Sequence, residues 1–124
     1  MLYSILIYGS DAAVTGLSKE EDAAMIASHM LVQQKLMAQR RLGPVVRLMP
    51  STAALTVRKG SEPLVIDGPF AETKEQLLGL YVLDCATPED AVEAARLIET
   101  CCNSTALEIR PVSWFTPGAV VQED

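Results

Sequence analysis

Basic charge is scarce in this chain. Ten Lys and Arg stand against sixteen Asp and Glu, giving a net charge of −6. Recognition of a phosphate backbone needs a clustered Lys/Arg surface, so no nucleic-acid partner is expected. Histidine occurs once, at position 29, and cysteine three times, as Cys85, Cys101 and Cys102. An odd count with two neighbours makes no disulfide framework, and no C-x-x-C spacing offers a metal site. One histidine and no spaced cysteines leave only a carboxylate site, so no metal or cofactor is expected. The glycines form neither a phosphate loop nor a dinucleotide fingerprint. No apolar run approaches the roughly eighteen residues that suggest a membrane span. The opening "MLYSILIYGSD" has no basic leader and meets an Asp directly after a short apolar run, so it reads as a strand and not as a signal peptide.

What is present is an ordinary globular composition. The 124 residues are 49% hydrophobic and 21% charged, enough to build one domain around its own core. Reduced thiols in a cytoplasm are the simplest account of the cysteines. A redox pair at Cys101 and Cys102 is the alternative to two small core hydrophobes.

The pattern along the chain alternates. Residues 2–8, "LYSILIY", read as a central strand, and "GSDAAVTG" as a loop. Residues 18–41 read as a long helix. Ser18 and Glu21 have capping-box spacing, acidic residues fill the first turn, and apolar residues from Ala23 to Met37 fall near helical spacing. Gly43 and Pro44 read as its stop. "VVRL" is a strand. "ALTVR" and "PLVI" are the arms of a hairpin with its tip at "KGSE". "LLGLYVLDC", 77–85, is a strong strand. Residues 88–99 read as a second helix, capped by Thr87, with a small-residue face of Ala91, Ala94, Ala95 and Ile98. "ALEIRPV", 106–112, is the last strand.

Without the hairpin the order is βαββαβ, the ferredoxin-like arrangement, an α+β fold. Two helices cover one face of an antiparallel sheet. The other face is apolar and needs a cover, and a second copy of the chain is the simplest one.

The stretch "DGPFAETKEQ", 67–76, is long and highly charged for a connector between two strands. Together with "LLGLYVLD" it resembles the signature of the DGPF (YCII-related) family of small bacterial proteins. "LYSILIYG", "SHMLVQQKL" and "LEIRPV" resemble the same pattern. The resemblance spans residues 1–113 as one domain, with 114–124 as a tail. It implies a ferredoxin-like fold with an extra hairpin that pairs into a dimeric α/β barrel, hence a homodimer or larger homo-oligomer. Relatives of this type have been proposed to be enzymes because of a His–Asp pair in a cleft. Some lie beside, or are fused to, sigma factors of the extracytoplasmic-function class.

His29 shares a helix face with Met25, Ile26, Val32 and Leu36. It is either a general base near neutral pH or a core histidine held by one hydrogen bond. Asp67, followed by Gly68 and Pro69, is either its orienting partner or the start of an Asx-turn. Asp84 is a weaker candidate for that partner. Glu72, Thr73, Lys74 and Glu75 are candidates to bind a polar ligand, and otherwise a solvated turn. Phe70 should dock on the sheet or on a partner subunit and pin that segment. Arg47 and Arg58 read as surface residues, with anion binding as the alternative, and Tyr8 and Tyr81 as core, with hydroxyls lining a cleft as the alternative. The expected function is a small cytoplasmic enzyme with a His29–Asp67 acid–base pair acting on a polar small molecule. The alternative is a non-catalytic binding or sensory module linked to a sigma factor.

Overall fold

The computed structural model describes residues 1–60, 64–71 and 73–121. Four strands form one antiparallel sheet: β1 (Leu2–Gly9), β2 (Leu42–Arg47), β5 (Gln76–Asp84) and β6 (Ala106–Pro111), in the order β2-β5-β1-β6. The hairpin of β3 (Leu55–Arg58) and β4 (Leu64–Asp67) is a separate two-stranded ribbon. A short helix α1 (Ala12–Thr15) and a long one, α2 (Lys19–Ala38), follow β1, and α3 (Pro88–Glu99) follows β5. With the ribbon set aside, this is the ferredoxin-like chain order in an α+β fold. Among the described residues the sheet does not close into a barrel.

The alternation of β1 sets the two faces. Tyr3, Ile5 and Ile7 are buried. Their partners Leu83, Tyr81 and Gly79 share that face by register. Against it lies the small-residue stripe of α3, with Ala91, Ala94 and Ile98 fully buried. Alanines let helix and sheet approach closely, so this half of the core is dense. Thr87 caps α3 by accepting from the Asp90 amide. No helix of the described residues is long and apolar enough to cross a membrane.

α2 is held differently. Its capping box forms in full: the Glu21 amide donates to Ser18 Oγ and the Ser18 amide to Glu21, each at 3.0 Å. The Ser18 amide, and then the Ser18 hydroxyl, hold the Glu21 carboxyl below its usual range. Yet only Leu36 on this helix is buried. Met30, Leu31 and Met37 are exposed, so the apolar spacing does not form one core-facing stripe.

The helix also ends earlier than the glycine suggests. Arg40 takes the left-handed conformation with φ 57°. The Arg41 amide donates to Leu36 O and the Arg40 amide to Met37 O, both at 2.9 Å, a Schellman closure. Gly43 and Pro44 instead lie inside β2. Gly43 is there for space: a Cβ on it would sit 2.6 Å from the Val82 carbonyl oxygen of β5. The segment 9–16, expected as loop, gives Gly9 to β1 and contains the single turn of α1.

The opposite face of the sheet carries Leu2, Leu6 and Tyr8 with Leu80, Val82 and Val46, mostly half-exposed. The ribbon projects its apolar residues into solvent. Leu55, Val57, Leu64 and Val65 are each more than half exposed.

Arg40 is a non-glycine residue where glycine costs nothing in strain. Arg40→Gly should therefore stabilise the fold by about 0.5–1 kcal/mol, after glycine's greater unfolded-state entropy is set against the relieved strain. Urea unfolding would show a higher midpoint at unchanged slope. A lower midpoint would mean that the guanidinium contributes more than the backbone strain costs.

Candidate functional site

A cleft of about 210 Å³ opens between α2, the sheet and the residues just after α3. Its walls are largely apolar: Met25, Ile26 and Met30 from α2, Ile7 from β1, Val45 from β2 and Leu78 from β5. The rim is tied by polar bonds. Asp11 accepts from the Ser51 amide at 3.1 Å and from the Ser51 hydroxyl. Asn103 Nδ2 donates to Ala13 O at 2.8 Å. Arg47 donates to Asp22 at 2.7 Å, fastening the end of β2 to the first turn of α2.

The polar group at the floor is Tyr81, only 1% exposed. His29 and Gln33 stand one helical turn apart on α2 and so reach the same point. His29 Nδ1 lies 2.6 Å from the Tyr81 hydroxyl, and Gln33 Nε2 donates to that hydroxyl at 3.2 Å. The rings of His29 and Tyr81 stack with centroids 5.9 Å apart. Two cysteines flank the imidazole on its other sides. Cys101 Sγ is 3.5 Å from Nδ1, and Cys102 Sγ is 3.6 Å from Nε2.

This network assigns the protons. A buried hydroxyl hydrogen must find an acceptor. Gln33 occupies the Tyr81 oxygen as a donor, and His29 Nδ1 is the acceptor within reach. With Gln33 donating, the proton of the neutral imidazole is expected on Nε2, facing Cys102 and the cleft. Burial, and then the Arg47 charge, lower the His29 pKa, so the ring is neutral near pH 7. Burial pushes the Tyr81 hydroxyl up to about 12. It raises the Cys101 thiol and pushes Cys102 up to about 12. Burial thus favours the uncharged forms of His29, Tyr81, Cys101 and Cys102.

The YCII-related domain description matches residues 1–116. An uncharacterized protein of Rhizobium meliloti (strain 1021) is 45% identical over 120 residues, covering 95% of this chain and 97% of its own length. The chain belongs to the YCII-related family. The family relationship agrees with the resemblance carried by the "DGPF" segment, and it brings no established reaction with it.

In this YCII-related chain the sequence-predicted residues lie in two places. His29 lines the cleft. Asp67 is exposed at the end of β4, paired in register with Leu55, and is not among the residues lining the cleft. Among the described residues no carboxylate is hydrogen-bonded to His29; its partners are Tyr81, Cys101 and Cys102. Asp84 instead accepts from the Met1 amino group at 3.0 Å. Thr73, Lys74 and Glu75 are exposed, and Glu72 lies outside the described residues. Gln76 Nε2 reaches back to the carbonyls of Ala71 and Thr73, which closes the segment as a turn. Phe70 does not dock on the sheet of its own chain. It is 75% exposed, with the Arg58 guanidinium 5.4 Å from its ring centroid. Gly68, with φ 101°, makes the sharp bend that turns the segment away.

Four residues of the site were not assigned their present role from the sequence. Tyr81 read first as core and Arg47 as surface, and Cys101 and Cys102 as a separate feature. The available signal was the apolar helix face around His29 and the position of Cys101 and Cys102 just past a helix end. The contact between them spans more than seventy positions, which no local pattern encodes.

At neutral pH, long-range nitrogen–proton correlation spectra should show His29 as the Nε2–H tautomer, titrating below the ordinary histidine range. A folded pKa below the unfolded one means that the unfolded chain takes up the proton first. Stability should then fall as the pH drops below about 6.5, the unfolded value, and this slope should be absent in His29→Gln. Tyr81→Phe should cost about 1–3 kcal/mol, because the amide donor of Gln33 loses its partner. An Nδ1–H signal in the wild type would overturn the proton assignment.

Proposed function

We propose that the cleft is the working site, and that the protein binds a small molecule with an apolar body and one oxygen-bearing group on which His29 acts in proton transfer. The observation that carries this reading is the line Gln33–Tyr81–His29, which ends with an imidazole N–H at the cleft. A concave, mostly apolar site with a few convergent polar groups is the common form of a small-ligand pocket. A neutral imidazole suits acid–base transfer near pH 7. Ser104 Oγ, which also lines the cleft, is buried with no partner among the described residues. A polar atom of a ligand would satisfy it. The substrate is thus less polar than the charged "DGPF" segment suggests.

Asp67 enters this reading through a second copy of the chain. The apolar sheet face and the bare ribbon both call for cover. Pairing of two chains through these surfaces, as in a dimeric α/β barrel, would carry the ribbon and Asp67 to the other subunit. The three free thiols suit a reducing cytoplasm. A non-catalytic sensor working beside a sigma factor would use the same cleft. The neutral thiols and the neutral phenol, none of them an activated nucleophile, favour that second reading over covalent catalysis.

Hexanoate serves as a probe. Its titration should shift the methyl signals of Met25 and Met30 and the ring signals of His29, and Met30→Lys at the cleft wall should abolish the shifts while the fold is kept. Shifts confined to residues 67–76 would refute the cleft as the site. A carboxylate near His29 raises its pKa. Asp67→Asn should therefore lower the His29 titration further if the pair forms between subunits, and no change would end the His29–Asp67 pair. Sedimentation should give a dimer, and Val57→Glu should dissociate it. A wild-type monomer at micromolar concentration would remove the pairing.

A further inference from the structure

The residues around the imidazole also form a set of metal donors. One donor atom from each of His29, Cys101 and Cys102 lies within 4.8 Å of the others. We propose that these three residues bind one Zn²⁺ through two thiolates and the His29 Nε2, with a fourth position open to the cleft. This inference rests on donor geometry; with zinc bound, the His29 Nε2 is a ligand in place of the proton-transfer group proposed above.

The distances fit the ion. Zinc–sulfur bonds of about 2.3 Å and zinc–nitrogen bonds of about 2.0–2.1 Å, at a tetrahedral angle, place sulfur and nitrogen about 3.6 Å apart. Cys102 Sγ and His29 Nε2 are 3.6 Å apart. Cys101 Sγ lies 3.5 Å from Nδ1, so its side chain must rotate toward Nε2 to bring the two sulfurs to the separation of about 3.8 Å that one ion needs. Two thiolates and an imidazole are a donor set for a soft or borderline cation, and a three-residue set with an open position is the form of a catalytic zinc site.

The surroundings supply the outer contacts. A zinc-ligating histidine fixes its other nitrogen by a hydrogen bond, and Tyr81 stands 2.6 Å from Nδ1. With zinc on Nε2, the ring proton moves to Nδ1 and is donated to the Tyr81 oxygen. Rotation of the Gln33 amide then lets its oxygen accept the phenol hydrogen. The cysteines follow the C-terminus of α3, whose dipole favours a cation. The proton count follows from the thiols. Both are raised by burial and start protonated. Binding one Zn²⁺ breaks two S–H bonds, forms two Zn–S bonds and releases two protons to solvent, while the histidine only changes tautomer. No redox partner is required.

The test uses the reduced full-length protein and Zn²⁺ alone, titrated against a chromophoric chelator. One equivalent per chain should bind, with two protons released. Co²⁺ in place of Zn²⁺ should give a thiolate charge-transfer band and tetrahedral ligand-field bands, a readout that needs no variant. Cys101→Ser, Cys102→Ser and His29→Gln should each weaken binding at least about a hundredfold, while Cys85→Ser leaves it unchanged. Binding only at millimolar metal, a cobalt spectrum without thiolate bands, or affinity that survives Cys102→Ser would each overturn the site. The hexanoate titration contains no metal, so failure there leaves this result standing, and the reverse also holds.

Discussion

The phenol of Tyr81 is the constraint on which the cleft side of this molecule depends. It sits almost fully buried on β5, facing the helices. Its hydroxyl holds the middle of α2 by polar contacts, through His29 and Gln33, while the Arg47–Asp22 pair ties the first turn. Each such bond is worth only about 1 kcal/mol net, but an unmade one in a buried place costs more. The penalty for leaving Tyr81 unpaired thus adds to the burial of Leu36 in positioning α2. With Leu36 alone buried on that helix, hydrophobic burial holds one end and the Tyr81 network holds the middle.

The two helices pack unlike each other for a reason visible in their side chains. α3 offers alanines and closes down on Tyr3, Ile5 and Leu83. α2 offers Met25, Ile26 and Met30, which are too long to allow the same approach. The space they prop open is the cleft. A helix with small residues makes core, and one with long flexible residues makes a wall. The asymmetry leaves apolar surface half-covered on the α2 side, which a bound molecule would bury at about 25 cal/mol per Å².

Three kinds of surface are left incomplete in the single chain: the cleft walls, the open sheet face and the ribbon. They differ in chemistry. The sheet face and ribbon are broad and apolar, the character of a protein contact. The cleft is narrow and carries the only histidine beside two of the three cysteines. Burial keeps these groups neutral: it disfavours a proton on His29 and the loss of one from either thiol.

The sequence by itself determined the parts governed by neighbours in the chain. Strand alternation in β1, the Ser18–Glu21 box, the Thr87 cap and the alanine stripe of α3 are all local, and each formed where its residues stand. The helix stop did not, because a backbone strain that a glycine would have avoided was accepted at Arg40. Gly43 was needed elsewhere, where β2 approaches β5. Tertiary structure alone decided the site. The charged "DGPF" segment is conspicuous in the sequence, but its exposed described residues lie apart from the cleft. The unremarkable Tyr81 and the paired cysteines became its floor. Charge is conspicuous in a sequence because it favours water. A site is made by contacts between residues far apart in the chain, and those are fixed only when the sheet register and the helix packing bring them together.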